Sequence, residues 1–361
     1  MYLGAIILFL VAVVGLSLVP ARLFAASGHM SVPPGRVTTA FLGAILAFLV
    51  TVLVATRSLG FGVDTVAYAE LFGAHCMGYE LKGYGASFLL SVALLNLAML
   101  GACSVSMLPL AWVVIVVALI MLAPAPIARR LAYAGLFLFS LVGIELTTNA
   151  LRQSFAVGLS VLAVALYPRS RFAALLLAAA AALAHNSAAL VLLAAWGATF
   201  GWRLFLLGMA SAIALVAASL LSGNAFFLLE PLLYEIEKYL GHEGDEIFVR
   251  LLAAASLLVV LGAPVLAAEG AAGRRRIWHS DRYQVALRLS LTCLPLLAVP
   301  WFGFRYIYGV WPIVLWLILA ASEDWPDGSG RIFGWILAGN ALILLGWSFG
   351  SSYMRTVPFY A

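Results

Sequence analysis

The sequence predicts an all-α fold: a polytopic integral membrane bundle of about 10–12 membrane helices. Three observations lead there. The chain of 361 residues is 65% hydrophobic and only 10% charged, with a mean hydropathy of +1.10, which lies outside the soluble range. Apolar runs of about 16 to 22 residues, each long enough to cross a bilayer, recur along its length. The arginines between those runs fall where a single threading puts nearly all of them on one face. No polar stretch exceeds about 30 residues, so residues 1–361 read as a single transmembrane domain.

Spans are drawn at 2–20, 37–56, 106–123, 131–146, 150–167, 204–221, 247–268, 285–301, 303–321 and 332–350. The first has no basic residue before its apolar core and no cleavage signal, so it reads as a membrane helix rather than a removed leader. Residues 86–103, "ASFLLSVALLNLAMLGAC", suit an interfacial helix. Residues 172–200 suit a broken or re-entrant pair meeting at "AHNS", 184–187. With those two choices Arg22, Arg36, Arg129, Arg130, Arg169, Arg171, Arg203, Arg274, Arg275, Arg276, Arg282 and Arg331 share one face, which the positive-inside rule makes cytoplasmic. If 172–200 crossed once, the later arginines would change sides. The "GRRR" run is then a topological anchor. Two outer loops follow, 57–85 and 222–246, and ten of the fifteen acids fall on the outer side.

The threading also gathers the conspicuous polar groups of the apolar domain at its outer end. Arg57 and Asp64 follow the second span, and Glu145, Asn149, Arg152 and Gln153 sit where two spans meet. His185 and Asn186 stand at the break in 172–200, with Arg305 and Tyr306 at the end of a later span. A membrane arginine cannot shed its proton, so its charge has to be answered. Fixed partners are one answer: Arg152 with Glu145, Arg57 with Asp64, Arg305 snorkelling to headgroups, and His185 only capping a helix. A visiting anion is the other. Forked guanidinium donors match the oxygens of a pyrophosphate, and an imidazole kept neutral by its Ala-rich surroundings suits a general base.

The remaining sequence narrows the chemistry. Cys76, Cys103 and Cys293 show no paired spacing, so they read as packing residues rather than a disulfide or metal set. The net charge of +5 reports topology, not a nucleic-acid partner. A P-loop, HExxH, GxSxG and a DxD-type cluster are all missing, so the expected chemistry uses no metal and no cofactor.

Five segments run in an order that resembles the EpsG/Wzy class of bacterial polysaccharide polymerases, over most of the chain. They are "GVDTVAYAELF" (62–72), "GYELKGYGASFLL" (78–90), "LRQSFAVGLSVLAVAL" (151–166), "LAHNSAALVLL" (183–193) and "FRYIYGVWP" (304–312). The most specific part is the R-Q-x-x-A helix followed, after "PRSR", by A-H-N-S-A. The second segment departs from the family's frequent Glu-Pro-Gly-Phe, and Lys82 has no counterpart role.

The resemblance implies transfer of a glycan from undecaprenyl pyrophosphate to another lipid-linked repeat unit, on the periplasmic face of the bacterial inner membrane. It implies that Arg152 and Arg305, with Arg57, hold the pyrophosphate and that His185 activates the acceptor hydroxyl. Asp64, Tyr68, Glu80, Asn149, Gln153, Asn186 and Tyr306 would orient sugars. The expected partners are the lipid-linked oligosaccharide, membrane lipids and a chain-length regulator. Two alternatives stay open: an O-antigen ligase with the same donor, and a flippase or transporter of the lipid-linked oligosaccharide. The 222–246 loop is short for a ligase, and no internal repeat supports a transporter.

Overall fold

A computed structural model describes residues 34–58, 63–78, 92–93, 95–96, 104–222, 247–296, 302–323, 325 and 328–350. The expected span 2–20, Glu80, nearly all of the expected interfacial helix 86–103 and the loop 222–246 beyond Ser222 lie outside them. Among the described residues the regular structure is helical throughout, with no strand. The helices are α1 (Pro34–Ala55), α2 (Val63–Cys76), α3 (Leu108–Met121, entered through the 3-10 turn Val105–Met107), α4 (Ile127–Leu138) and α5 (Leu141–Thr148). They continue with α6 (Leu151–Leu166), α7 (Arg171–Ala184), α8 (Asn186–Gly197), α9 (Trp202–Ser222) and α10 (Ile247–Ala267). The last five are α11 (Gly270–Trp278), α12 (Asp281–Leu291), α13 (Cys293–Leu296), α14 (Phe302–Ser322) and α15 (Gly328–Gly350).

Among the described residues, four stretches are long and apolar enough to cross a membrane: Arg36–Ala55, Phe248–Ala267, Arg305–Ser322 and Gly330–Phe349. The chain is a multi-pass membrane protein by these lengths and its composition. α14 is the axis of the bundle: 89% of its spanning stretch is buried, against 33% for α1. α14 packs against α4, α6, α8, α10 and α12, whereas α1 turns Phe41 and Phe48 outward, as a lipid-facing helix does.

Several expected spans are broken, for local reasons. The span drawn at 131–146 is two helices, α4 and α5, bent by 77°. Ser140 makes the corner: its extended backbone ends α4, its hydroxyl donates to Phe137 O (2.6 Å), and its oxygen caps α5 by accepting from Gly143 N (2.9 Å). A Cβ at Gly143 would stand 1.8 Å from Phe137 O, so the corner requires glycine. The pair expected near 172–200 is present as α7 and α8, broken at His185. α7 lies along α6, and α8, beyond the break, packs against α6 and α14. The expected span at 285–301 is interrupted at Thr292, between α12 and α13, and residues 297–301 are outside the described set.

Of the twelve arginines that the threading groups, Arg36, Arg129, Arg282 and Arg331 meet partners at one end of the bundle. Arg129 makes a forked ion pair with Glu323, through Nε to Oε1 (2.7 Å) and Nη2 to Oε2, and its guanidinium lies over the Trp316 ring. Arg36 donates to Glu323 O (2.7 Å), Arg282 to Ala320 O (2.6 Å) and Arg331 to Glu269 Oε1 (2.6 Å). An ion pair and two carbonyl hydrogen bonds tie the starts of α1, α4 and α12 to the end of α14, and a second ion pair ties the start of α15 to the turn before α11.

Close approach of backbones holds the outer layer. Gly43 on α1 faces Gly135 on α4, and a Cβ on either would come within 2.4 Å of main-chain oxygen on the other helix. Gly135→Val is therefore expected to destabilise the protein by about 1–3 kcal/mol, the usual cost of overpacking. Gly208→Val on α9, where nothing lies within 4 Å, is the control. Thermal unfolding in detergent checks this: a lowered midpoint for the first variant only.

Candidate functional site

At the other end of the bundle, the helix breaks bring the sequence-predicted residues together. The α5–α6 junction, Asn149–Ala150, interrupts the helix just before Arg152, so Arg152, Gln153 and Ser154 occupy the first turn of α6. Asn149 donates through Nδ2 to Glu145 Oε2 (2.7 Å), which fixes the carboxylate on the last turn of α5. Thr65, in the first turn of α2, donates to Thr148 O (2.6 Å) and satisfies a carbonyl that the end of α5 leaves open. That bond seats α2 over the junction.

Tyr68, one turn further along α2, is buried and accepts from Arg152 Nε (3.0 Å). Its ring meets Trp112 edge-on, with centroids 6.1 Å apart at 76°. Trp112 is fully buried on α3 and donates through Nε1 to Ser154 Oγ (2.7 Å). The guanidinium of Arg57 lies over the same indole, 5.6 Å from its centroid. One tryptophan thus carries Arg57 on its face, Tyr68 on its edge and α6 on its nitrogen. A cation–π contact in such a desolvated place contributes about 2 kcal/mol. Arg57 is only 4% exposed, and its Nη1 donates to the adjacent Ser58 O (3.4 Å).

α14 enters from the opposite side. Gln153 is buried and donates through Nε2 to Arg305 O (2.6 Å), so its amide braces the first turn of α14 against α6. Tyr306 is buried, and its hydroxyl pairs with Thr292 Oγ1 (3.0 Å) between α12 and α13. Both residues were expected to orient sugars; their described contacts hold helices. Asp64 lies on the first turn of α2, and its side chain is outside the described residues.

His185 completes the arrangement. Its backbone is extended (φ −157°, ψ 128°), which ends α7 and starts α8. Its Nδ1 lies 2.7 Å from Ser187 Oγ and accepts from Ser187 N (3.3 Å), so the imidazole is the N-cap of α8. Arg305 and Arg152 both lie near enough for their charges to act on the ring. Two guanidinium groups and an imidazole, from three helix junctions, therefore share one electrostatic environment. Asn186, next to it, is exposed on the first turn of α8.

The sequence reading missed Trp112, Ser154 and Thr65. Trp112 had a signal: an indole N–H inside an apolar run needs an acceptor, and a serine in the first turn of a neighbouring span can supply one. The cysteine expectation is corrected. Cys76, at the end of α2, is disulfide-bonded, and Cys293 is a buried free thiol; Cys103 is outside the described residues. Disulfide partners meet through the fold, so their spacing in the chain carried no signal. Among the described residues no group of three or more His, Cys, Asp or Glu is placed to hold a metal. A cavity of about 320 Å³ lined by Glu269, Arg276, Trp325 and Arg331 lies at the arginine-rich end, away from these residues.

The fold and this cluster define a multi-pass helical membrane protein whose polar residues concentrate at a set of helix breaks. The EpsG family pattern matches residues 40–321, which includes every junction just described, and the chain belongs to the EpsG family. No curated protein and no solved structure matches it.

The thiol assignment has a direct check. In detergent-solubilised protein, a gel-shift maleimide is expected to modify Cys76 only after reduction, and Cys293 only on unfolding. Labelling of Cys76 without reductant contradicts the disulfide.

Proposed function

We propose that this protein is a polysaccharide polymerase of the Wzy type, which transfers a glycan from a polyprenyl pyrophosphate to a sugar hydroxyl of a second lipid-linked repeat unit. The observation that carries the reading is that the start of α6, the α7–α8 break and the start of α14 pack together, with Gln153 beside Arg152 bonded to Arg305 O. Glycosyl transfer from a lipid pyrophosphate needs little more than positioning and stabilisation of the leaving charge. Two forked cations supply the second, because their donors match the paired oxygens of a diphosphate. The donor is already activated, so neither a nucleotide nor a metal is called for.

The cluster faces the periplasm in this reading. Two independent features support that side: the arginine-rich end of the bundle belongs in the cytoplasm by the positive-inside rule, and the Cys76 disulfide belongs in an oxidising compartment. The apolar flanks of α7 and α8, with Leu175, Leu183 and Leu193 exposed, offer the polyprenyl chain a surface continuous with lipid. Asp64, Tyr68, Glu80 and Asn186 remain the residues proposed to meet the sugars, Tyr68 through the hydroxyl that already touches Arg152. Transport of the lipid-linked oligosaccharide is disfavoured, because a translocation path needs polar groups through the full depth of the bundle and the axis helix α14 is apolar from Gly309 to Ala321.

In a strain lacking the protein, complementation with Arg152→Ala, Arg305→Ala or His185→Ala is expected to leave surface glycan capped at a single repeat unit. Polymer should fall by about a hundredfold or more, the usual scale for removing a group that stabilises developing charge. Membrane levels of each variant should match wild type by immunoblot. An unchanged ladder reduces these residues to structural roles, and loss of even the single unit points to a ligase or flippase.

A further inference from the structure

His185 makes a contact that bears on which of its nitrogens can act. Its Nδ1 receives the backbone N–H of Ser187 at 3.3 Å and stands 2.7 Å from the Ser187 hydroxyl. A backbone N–H is only ever a donor, so Nδ1 must present its lone pair. Turning the ring over would set Cδ2–H against both Ser187 groups and leave the helix start uncapped. Moving the proton to Nδ1 would set one N–H against another at the first turn of α8. A neutral imidazole whose Nδ1 accepts carries its proton on Nε2. Ser187 is itself buried, which keeps water from replacing the cap.

We propose that His185 is a hydrogen-bond donor to the diphosphate through Nε2–H, and that Ser187 is the positioning residue that selects this tautomer. The proposal rests on the glycosyl-transfer reading above and replaces the general base expected from the sequence. A neutral donor suits a ring on which Arg152 and Arg305 already act, because it adds a hydrogen bond to the departing anion without adding a third positive charge. The reaction balances without a protein base. The acceptor oxygen bonds to the anomeric carbon, and the carbon–oxygen bond to the diphosphate breaks with its electron pair passing to the diphosphate oxygen. The acceptor's proton ends, through water, on the released lipid diphosphate. His185 begins and ends the cycle with its proton on Nε2.

The test sets His185→Gln beside His185→Ala, and Ser187→Pro beside Ser187→Ala. A glutamine amide N–H2 reaches about where Nε2–H stands but cannot take up a proton. His185→Gln is expected to keep polymerisation within about tenfold of wild type, while His185→Ala loses about a hundredfold. Imidazole 15N signals of the purified protein, assigned by their loss in His185→Gln, should show Nε2 protonated and Nδ1 bare. Ser187→Pro, which removes the capping N–H at a first-turn position that tolerates proline, should mix the two tautomers and lower activity. Ser187→Ala keeps that N–H and should keep Nε2 protonated. A well-folded His185→Gln as inactive as His185→Ala, or a wild-type spectrum with Nδ1 protonated, overturns the proposal. Wild type that fails to restore the glycan ladder while its spectrum shows Nε2–H overturns the functional reading instead.

Discussion

A helix that ends inside an apolar layer leaves backbone N–H and C=O groups facing hydrocarbon, and the protein has to satisfy them from its own side chains. This chain ends helices repeatedly at one end of the bundle, and each of those ends is answered by a specific polar residue. Ser140 caps α5, Thr65 takes Thr148 O and His185 caps α8, while Gln153 clamps α14 to α6 through Arg305 O. The groups that mend the breaks sit beside those proposed to bind the substrate. A site assembled this way is rigid without being filled by its own packing, because side chains held by a neighbouring helix start cannot rotate freely.

Trp112 is the counterpart of these caps in the apolar layer. It is buried against Tyr68, Ser154 and Arg57 together, so the position of Arg152 depends on an indole that has no chemistry of its own. The burial of Arg57 follows from the same stack. A guanidinium face is weakly hydrated and lies well on an aromatic ring, which lets a charged residue serve as packing. The two ends of the bundle use arginine differently. At one, Arg129 and Arg331 meet carboxylates; at the other, Arg152 meets a phenol and Arg305 acts on an imidazole.

His185 shows how a structural and a chemical role combine in one residue. Helix capping needs only an acceptor oriented at the first turn, which Ser, Asp or Asn supplies at less cost in volume. An imidazole at that place uses one nitrogen for the cap and keeps the other for the space beside Arg152 and Arg305. The cap itself fixes what the second nitrogen offers.

The class of the protein was legible in the sequence, because hydropathy and arginine placement act over whole segments and average out local detail. The break at "AHNS" was legible too, since asparagine, serine and histidine in an alanine-rich run have no place but a helix end. The corner at Ser140 was not. A lone serine in an apolar run can bond back within its own helix, and only the contact between Gly143 and Phe137 turns it into a cap. The sequence named Arg57, Gln153 and Tyr306 as site residues because polarity in an apolar segment is conspicuous. Tertiary packing decided that their described contacts are with a ring, a carbonyl and a threonine. What the chain determined by itself is a membrane bundle with cations and a histidine at one end, since burial costs depend on residue type. Which of those groups face one another depends on helix breaks and ring contacts between residues far apart in the chain, which no local pattern encodes.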